Sequence, residues 1–306
     1  MDRAEVKPAG RLAAAFASGR FAITAETTPT ATADPTPLVE RLKPLKDVAD
    51  AVNVTDGATA KPHLSSLALA GLMARAGIEP VLQFTTRDRN RIALQADLLG
   101  AAALGVPNVL CLTGDDPKRG EEPEAKPVHD LNSVALIALA RKMRDEARLN
   151  SGREIAVAPR YLIGAADAPI DPAPGWKPDA LAAKVAAGAD FVQTQYCFDL
   201  GLLRRYLARL AEHGLPGRAK LLVGIGPLAS ARQARWMNEN LWGVSIPPAL
   251  VARLDDARDP KAEGRRLCVE LMRELATIPG VAGCHLMAPR QEAEMAAAIA
   301  EFRAGR

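Results

Sequence analysis

Eight short runs with strand character alternate with longer Ala/Leu-rich helical patterns along the chain, and this alternation limits the fold more than any other feature. The runs are 21–27 (FAITAET), 51–56 (AVNVTD), 80–86 (PVLQFTT), 108–115 (NVLCLTGD), 158–166 (APRYLIGAA), 191–198 (FVQTQYCF), 220–227 (KLLVGIGP) and 280–289 (GVAGCHLMAP). Between them, segments such as 63–77, 91–105, 133–149, 179–189 and 202–214 place apolar residues at helical spacing, and several stop at a glycine just past the last apolar position. Strands that alternate with helices in this way feed a parallel sheet. Eight such units, with one more helix after the last strand, predict an α/β fold: a single (β/α)8 TIM barrel over residues 1–306. The stretch 230–279 is too long for one crossover and is expected to hold extra helices at 231–240, 247–257 and 263–278. The Pro/Gly-rich stretches 117–127 and 168–178 each follow a strand and precede a helix, so they read as loops rather than domain linkers.

In such a barrel alternate side chains of each strand point inward, and the active site lies at the C-terminal ends of the strands. Parity therefore sorts the side chains. Strand one sets Phe21, Ile23 and Ala25 against Ala22, Thr24 and Glu26; strand two sets Val52 and Val54 against Asn53 and Thr55. Strand three sets Leu82 and Phe84 against Gln83, Thr85 and Arg87, and strand four sets Leu110 and Leu112 against Cys111, Thr113 and Asp115. Strand six puts Gln193, Gln195 and Cys197 on one side. The expectation is an apolar face for the helices and a polar interior. Any one Thr or Asn can be a hydrogen-bonded filler, but Glu26, Asp115, Gln83, Gln193 and Gln195 together need partners that a packed core does not supply. A ligand at the barrel mouth would supply them.

Composition excludes several functions. At 48% hydrophobic and 25% charged, with a net charge of +3 spread among interspersed acids and bases, the chain has no nucleic-acid stripe. It lacks an apolar run near the roughly 18 residues a membrane span needs. The first 21 residues carry basic groups but no uninterrupted apolar core with a cleavage site, so a mature cytoplasmic start is expected. Cys111, Cys197, Cys268 and Cys284 are scattered, with no C-x-x-C, which argues against zinc or a disulfide framework and for small buried residues in a reducing compartment.

Two carboxylates stand out. A carboxyl beside apolar surface, as expected of Glu26, has its charged form disfavoured, which suits a general acid. Asp115 follows a glycine that would let backbone approach a ligand. The structural alternatives are that Glu26 pairs with a barrel arginine and that Asp115 caps a turn. The basic cluster RDRNR (87–91) ends strand three and opens a helix, an arrangement suited to anionic phosphate, or else a solvated charge run. Gly224–Ala229 formally matches G-x-G-x-x-A, but its proline and its place after the seventh strand argue against a dinucleotide fingerprint and for a close-approach loop. His63, His129 and His213 read as loop or surface residues and His285 as a hydrogen-bonded barrel residue. No pair has metal-ligand spacing, so no metal is expected.

These motifs together resemble the methylenetetrahydrofolate reductase family: AETTPT at strand one, AVNVTDGATA at strand two, residues 80–117 across strands three and four, AGADFVQTQYCFD at strand six, GIGPLASARQA at strand seven and HLMAPR at strand eight. The resemblance implies FAD at the barrel mouth and hydride transfer from NADH or NADPH. The hydride then passes to 5,10-methylenetetrahydrofolate in a ping-pong reaction that gives 5-methyltetrahydrofolate. Carried over position by position, Glu26 matches the general acid, Asp115 the carboxylate beside the flavin, and Gln195 the glutamine that contacts folate and nicotinamide. Gln193, one layer deeper, is expected to be structural. The implied cofactor contacts are Thr55, Asp56, Ala58, Gln83, Arg87, Arg89, Thr113, Gly114, Asp115, Gly164, Ala165, Ala166 and Lys184. The implied substrate contacts are Glu26, Gln195, Gln233, Met237 and Arg290. Gln83 stands where better-known bacterial members have histidine, and Thr113 stands where they have a phosphate-binding arginine. Ala166 lies near a position where they carry an aromatic residue. The phosphate contact is accordingly expected to move to Arg87, Arg89 or Arg91. The family's substrate-stacking aromatic falls near Trp236 or Met237, and no C-terminal regulatory domain is expected. Partners are expected to be the folate and a further copy of the chain, with a partner subunit as an option, and neither nucleic acid nor membrane. The alternatives are a folate-binding barrel with little or no flavin that takes electrons from a partner subunit, and a non-catalytic pterin-binding module.

Overall fold

The structure, a computed structural model, describes residues 10–305; the part of the expected N-terminal start that covers residues 1–9 lies outside the described residues. Eight parallel strands close a barrel in chain order: β1 (Ala22–Thr27), β2 (Ala51–Val54), β3 (Pro80–Thr85), β4 (Asn108–Leu112), β5 (Leu162–Asp167), β6 (Phe191–Tyr196), β7 (Lys220–Ile225) and β8 (Val281–Leu286). Helix α1 (Arg11–Ser18) precedes the barrel. The shell then follows as α2 (Thr36–Leu42), α3 (Ser66–Arg75), α4 (Arg91–Ala103), α5 (Ser133–Arg141), α6 (Asp179–Ala187), α7 (Leu200–Glu212), α8 (Ala231–Asn240), α9 (Pro248–Asp256), α10 (Pro260–Leu275) and α11 (Glu292–Ala304). The pairing of β1 with β8, Thr24 opposite His285, closes the ring. The expected barrel and the three helices between β7 and β8 are therefore present.

Local chemistry explains the helix starts. Ser65, Asn90, Asn132, Asp199, Ser230 and Asp259 each accept a hydrogen bond from a first-turn N–H, so the orphan donors of six helices are met by side chains. The helix expected over 133–149 divides: α5 ends at Arg141, a wider turn runs over Lys142–Glu146, and Ala147 takes a left-handed φ of 52°. That turn carries the buried Arg144 inward to Asp190 (2.5 Å) and the Tyr161 carbonyl. The fifth strand accordingly starts at Leu162 rather than at 158.

Parity holds for β1, β2 and β3, where Ile23, Ala25, Val52, Val54, Leu82 and Phe84 pack into the shell beneath the helices. It fails for β4. Leu110 joins the barrel interior with Ala22, Ala51, Val81, Leu162, Phe191 and Leu222, while Cys111 packs outward. The lower interior is apolar because α1, which the sequence did not announce as an element, closes the bottom with Leu12 and Ala15. A polar inward face was therefore the wrong criterion at that depth. Cys197 also leaves the interior and packs in the outer shell, because a register shift between β6 and β7 at Gln193/Tyr196 breaks the alternation. All four cysteines are buried.

Candidate functional site at the barrel mouth

A hydrogen-bonded layer lies above the apolar plug. Gln193 and Asn53 exchange amide bonds (2.6 and 3.0 Å), Gln193 Nε2 also donates to Thr24 Oγ1 (2.9 Å), and Thr24 Oγ1 lies 2.9 Å from His285 Nδ1. All four side chains are buried. Gln193 is thus satisfied within the protein and needs no ligand.

One layer higher stands Glu26. Gln83 Nε2 donates to its Oε2 at 2.6 Å, and His285 Nε2 lies 3.5 Å from the same oxygen. Its partners are an amide and an imidazole rather than an arginine. Its Oε1 has no protein partner among the described residues. A carboxyl with one oxygen held and the other free toward a cavity can hand over a proton from the free side.

Glu26 and Gln83 stand where two lobes of one cavity meet, of about 890 and 560 Å³, which also share Leu112, Gln195 and Met287. The larger lobe is lined by Thr55, Asp56, Ala58, Thr113, Gly114, Asp115, Gln233, Met237 and Arg290, and the smaller by Ala166, Asp167, Lys184, Trp176 and Trp242. Gln195 uses Oε1 to accept from the Tyr196 N–H (2.9 Å), and its Nε2 donors have no protein partner among the described residues. Gln233 lines the larger lobe, yet its Oε1 accepts from the Ala229 N–H, which fixes its carbonyl side. Lys184 Nζ donates to the Ala166 carbonyl (2.7 Å) at the rim of the smaller lobe. Beside it, burial raises the pKa of Asp167 despite the Tyr206 hydroxyl bond and the Lys184 charge, both of which lower it.

Several expected contacts are committed elsewhere. Arg87 is buried and binds Asp88 through Nε and Nη2, and the Gly57 and Asp115 carbonyls through Nη1. Arg89 binds Asp56 (2.6 Å) and Asp97 (3.0 Å), and Arg91 binds Asp130 (2.7 Å). Burial alone would raise the pKa of Asp56, but hydrogen bonds from Arg89, Ser66 and Thr85, with the Arg89 charge, hold it below the ordinary carboxylate value. Each of the three arginines already has a carboxylate partner, Arg87 its neighbour Asp88, Arg89 both Asp56 and Asp97, and Arg91 the distant Asp130. Gly164 sits below the mouth, where an added Cβ would lie 2.4 Å from Phe191 Cζ, and Ala165 packs in the outer shell. Neither reaches the cavity, whereas Ala166 does. Gly114 has a φ of 94° and lines the larger lobe, and a Cβ added there would lie 2.9 Å from Arg87 Cβ and 3.2 Å from Thr85 Cβ. Asp115 is exposed and accepts from the Thr59 N–H (2.7 Å), which ties the neighbouring loop, where Thr59 and Ala60 hold positive φ.

The sequence reading missed Trp176, Trp242 and Tyr196 as lining residues. Trp236 and Trp242 are 53% and 76% exposed at the rim. The chain has three tryptophans and all line the two lobes, so their rarity was the signal the sequence offered.

A closed (β/α)8 barrel with a polar cavity at the C-terminal ends of its strands defines a ligand-binding barrel of the kind that hosts enzyme sites. The chain matches the family model for methylenetetrahydrofolate reductase over residues 11–302, and it belongs to that family. It is 25% identical over 239 residues to a protein of Caenorhabditis elegans described as a probable methylenetetrahydrofolate reductase (NADPH), covering 74% of this chain and 33% of that relative. The chain therefore spans about a third of the length of the curated relative it matches. Its fold is shared, at a TM-score of 0.59 and 12% identity over 94% of this chain and 96% of the other, with an uncharacterised protein from Clostridium thermocellum that binds two copies of 5-methyl-5,6,7,8-tetrahydrofolic acid. Among the described residues no helix is long and apolar enough to cross a membrane, and no group of three His, Cys, Asp or Glu side chains could hold a metal ion.

Proposed function

We propose that the protein reduces 5,10-methylenetetrahydrofolate to 5-methyltetrahydrofolate with NADH or NADPH, with FAD bound at the mouth. The observation that carries this reading is Glu26, which lines both lobes of the cavity, with Oε2 held by Gln83 and Oε1 without a protein partner among the described residues. The residues present fit a flavin. Thr55 lines the larger lobe with a buried Oγ1 that has no partner among the described residues, Lys184 brings a cation to the smaller lobe, and the small side chain of Ala166 lines that lobe above β5. Thr55, Gln83, Asp115, Ala166 and Lys184 would hold the cofactor, with Lys184 rather than the arginines beside its phosphates. FAD would supply the two-electron relay between nicotinamide and folate, which no side chain can provide.

The chain's own residues do the rest. Glu26 gives the proton on Oε1 to the folate nitrogen, whose lone pair takes it; the five-membered ring then opens to an iminium carbon that accepts hydride. Gln83 keeps its N–H on Oε2 throughout, which stabilises the carboxylate that is left. Gln195 directs its free amide donors at the ligand where the two lobes meet. Trp236 and Met237 offer surface for the flat pterin, and Arg290 at the rim offers charge for the carboxylates of the folate tail.

The test is Glu26→Gln followed anaerobically in two halves. Folate reduction should fall about 100-fold or more while electron uptake from nicotinamide persists, because only the first needs the acid. Equal loss of both halves would overturn the assignment. The commitment of Arg87, Arg89 and Arg91 to carboxylates favours a second reading, a folate reductase that holds little flavin and draws electrons through a partner subunit. A colourless purified protein, inactive with nicotinamide alone, would support it.

A further inference from the structure

The buried layer beneath Glu26 has a direction, and that direction ends at the carboxyl. Gln193 Nε2 has two hydrogens: one goes to Asn53 Oδ1 (3.0 Å) and the other to Thr24 Oγ1 (2.9 Å), with His285 Nδ1 at 3.3 Å. Asn53 Nδ2 donates back to Gln193 Oε1 at 2.6 Å, so the two amides fix one another's orientation. Thr24 Oγ1 already accepts from Gln193, so its own hydrogen is left for His285 Nδ1 at 2.9 Å. Nδ1 is then an acceptor. In the neutral ring the proton must sit on Nε2, which faces Glu26 Oε2 at 3.5 Å.

We propose that the Asn53–Gln193–Thr24 chain holds His285 as its Nε2–H tautomer, and that this N–H and the Gln83 amide together claim Glu26 Oε2, leaving the acid's proton on Oε1, the oxygen without a protein partner among the described residues. The proposal rests on the reading of Glu26 as the general acid. His285 is a positioning residue in it, since it touches Glu26 rather than substrate. Two donors on one oxygen decide which oxygen keeps the proton. A protonated carboxyl places its hydrogen on the oxygen with fewer donors, because the other would bring two hydrogens together. The arrangement also serves the product state, when the carboxylate formed by proton transfer needs donors that are already in place. The charged and titratable groups that face Glu26 are His285 from β8 and Tyr196 from β6. Tyr196 is half-buried and gives its hydroxyl hydrogen to the Met287 carbonyl (2.8 Å), so it offers Glu26 no donor.

The chain has four histidines, so two-bond 15N–1H correlation spectra of uniformly 15N-labelled protein can resolve the His285 ring, assigned by its loss in His285→Gln. The expected pattern is a protonated Nε2 and a bare Nδ1. An Nδ1–H pattern in the wild type overturns the proposal whether or not any variant folds. Kinetically, His285→Leu should lower kcat for folate reduction about 10- to 100-fold, the scale of a misplaced catalytic group, with KM changed less than about threefold. His285→Gln, which keeps an N–H near the Nε2 position, should recover most of that loss. Equal loss in both variants, or an unchanged kcat in His285→Leu, overturns the positioning role. Glu26→Gln separates the two layers of argument. If it retains folate turnover, the general-acid reading fails; if it loses turnover while His285→Leu does not, the general acid stands and the positioning proposal fails.

Discussion

Asp56 lines the larger lobe and is bound there by Arg89, Thr85 and Ser66, so Asp56→Asn is expected to act on stability before it acts on ligand. Its Oδ2 accepts from the Thr85 N–H (2.9 Å), the Thr85 hydroxyl (2.8 Å) and Arg89 Nη1 (2.6 Å), and its Oδ1 accepts from Ser66 (2.8 Å) and Arg89 Nη2 (3.3 Å). Side-chain exposure is 8% for Asp56 and 16% for Arg89, so the pair is desolvated. Removing one partner of a buried pair costs about 3–5 kcal/mol. The lower end applies because Arg89 keeps Asp97 at 3.0 Å, and the asparagine NH2 would face hydroxyl and guanidinium donors that it cannot serve. For a chain of 306 residues, at roughly 1.6 °C per kcal/mol, a loss of about 3 kcal/mol lowers Tm by about 5 °C. The sign with pH follows from the depressed native pKa of Asp56. The carboxylate's contribution is complete above its unfolded value of about 4 and is lost as pH falls through the lower folded value, so wild type and variant should converge in acid below about pH 4. Urea and thermal melts at pH 7 and in steps down to pH 3.5 read both effects. A variant with unchanged melting but weakened cofactor or folate binding would refute the reasoning and return Asp56 and Arg89 to the ligand.

Three further outcomes are expected. Gln195→Ala removes one neutral hydrogen-bond donor from the ligand, worth about 0.5–1.5 kcal/mol, so steady-state kinetics should show KM for folate rising roughly 2- to 12-fold, and wild-type kinetics would take Gln195 out of the site. Gly164→Ala forces a Cβ to 2.4 Å from Phe191 Cζ and 2.8 Å from Leu110 Cδ1; denaturant melts should show an overpacking loss of about 1–3 kcal/mol with unaltered ligand affinity, the reverse of what a cofactor contact would give. Leu12→Ala empties part of the plug under the barrel, and the same melts should register about 2–5 kcal/mol, because Leu12 is fully buried against the lower interior.

The sequence by itself determined the alternation of eight strands with helices, the extra helices between β7 and β8, and the inward parity of β1, β2 and β3. These follow from hydrophobic period, capping residues and strand length, all of which act within a dozen residues. Glu26 and Gln195 were legible for the same reason, since a polar side chain at the C-terminal end of an otherwise apolar strand has no local partner. The division between Gln193 and Gln195 was legible as depth along one strand.

Tertiary structure alone decided the rest. Arg87, Arg89 and Arg91 looked free in a run of five polar residues, but Asp56, Asp97 and Asp130 reach Arg89 and Arg91 from other segments, and the Gly57 and Asp115 carbonyls complete the coordination of Arg87 beside Asp88. Leu110 faces inward because α1, about a hundred residues earlier in the chain, makes the lower barrel an apolar compartment. The tautomer of His285 depends on Gln193 and Asn53, 92 and 232 positions away, and on Thr24 across the seam between β1 and β8. Strand and helix come from neighbours in sequence; which oxygen of Glu26 is free, and which cations are already spent, comes from neighbours in space, because charge and hydrogen-bond partners are assigned only when the barrel closes.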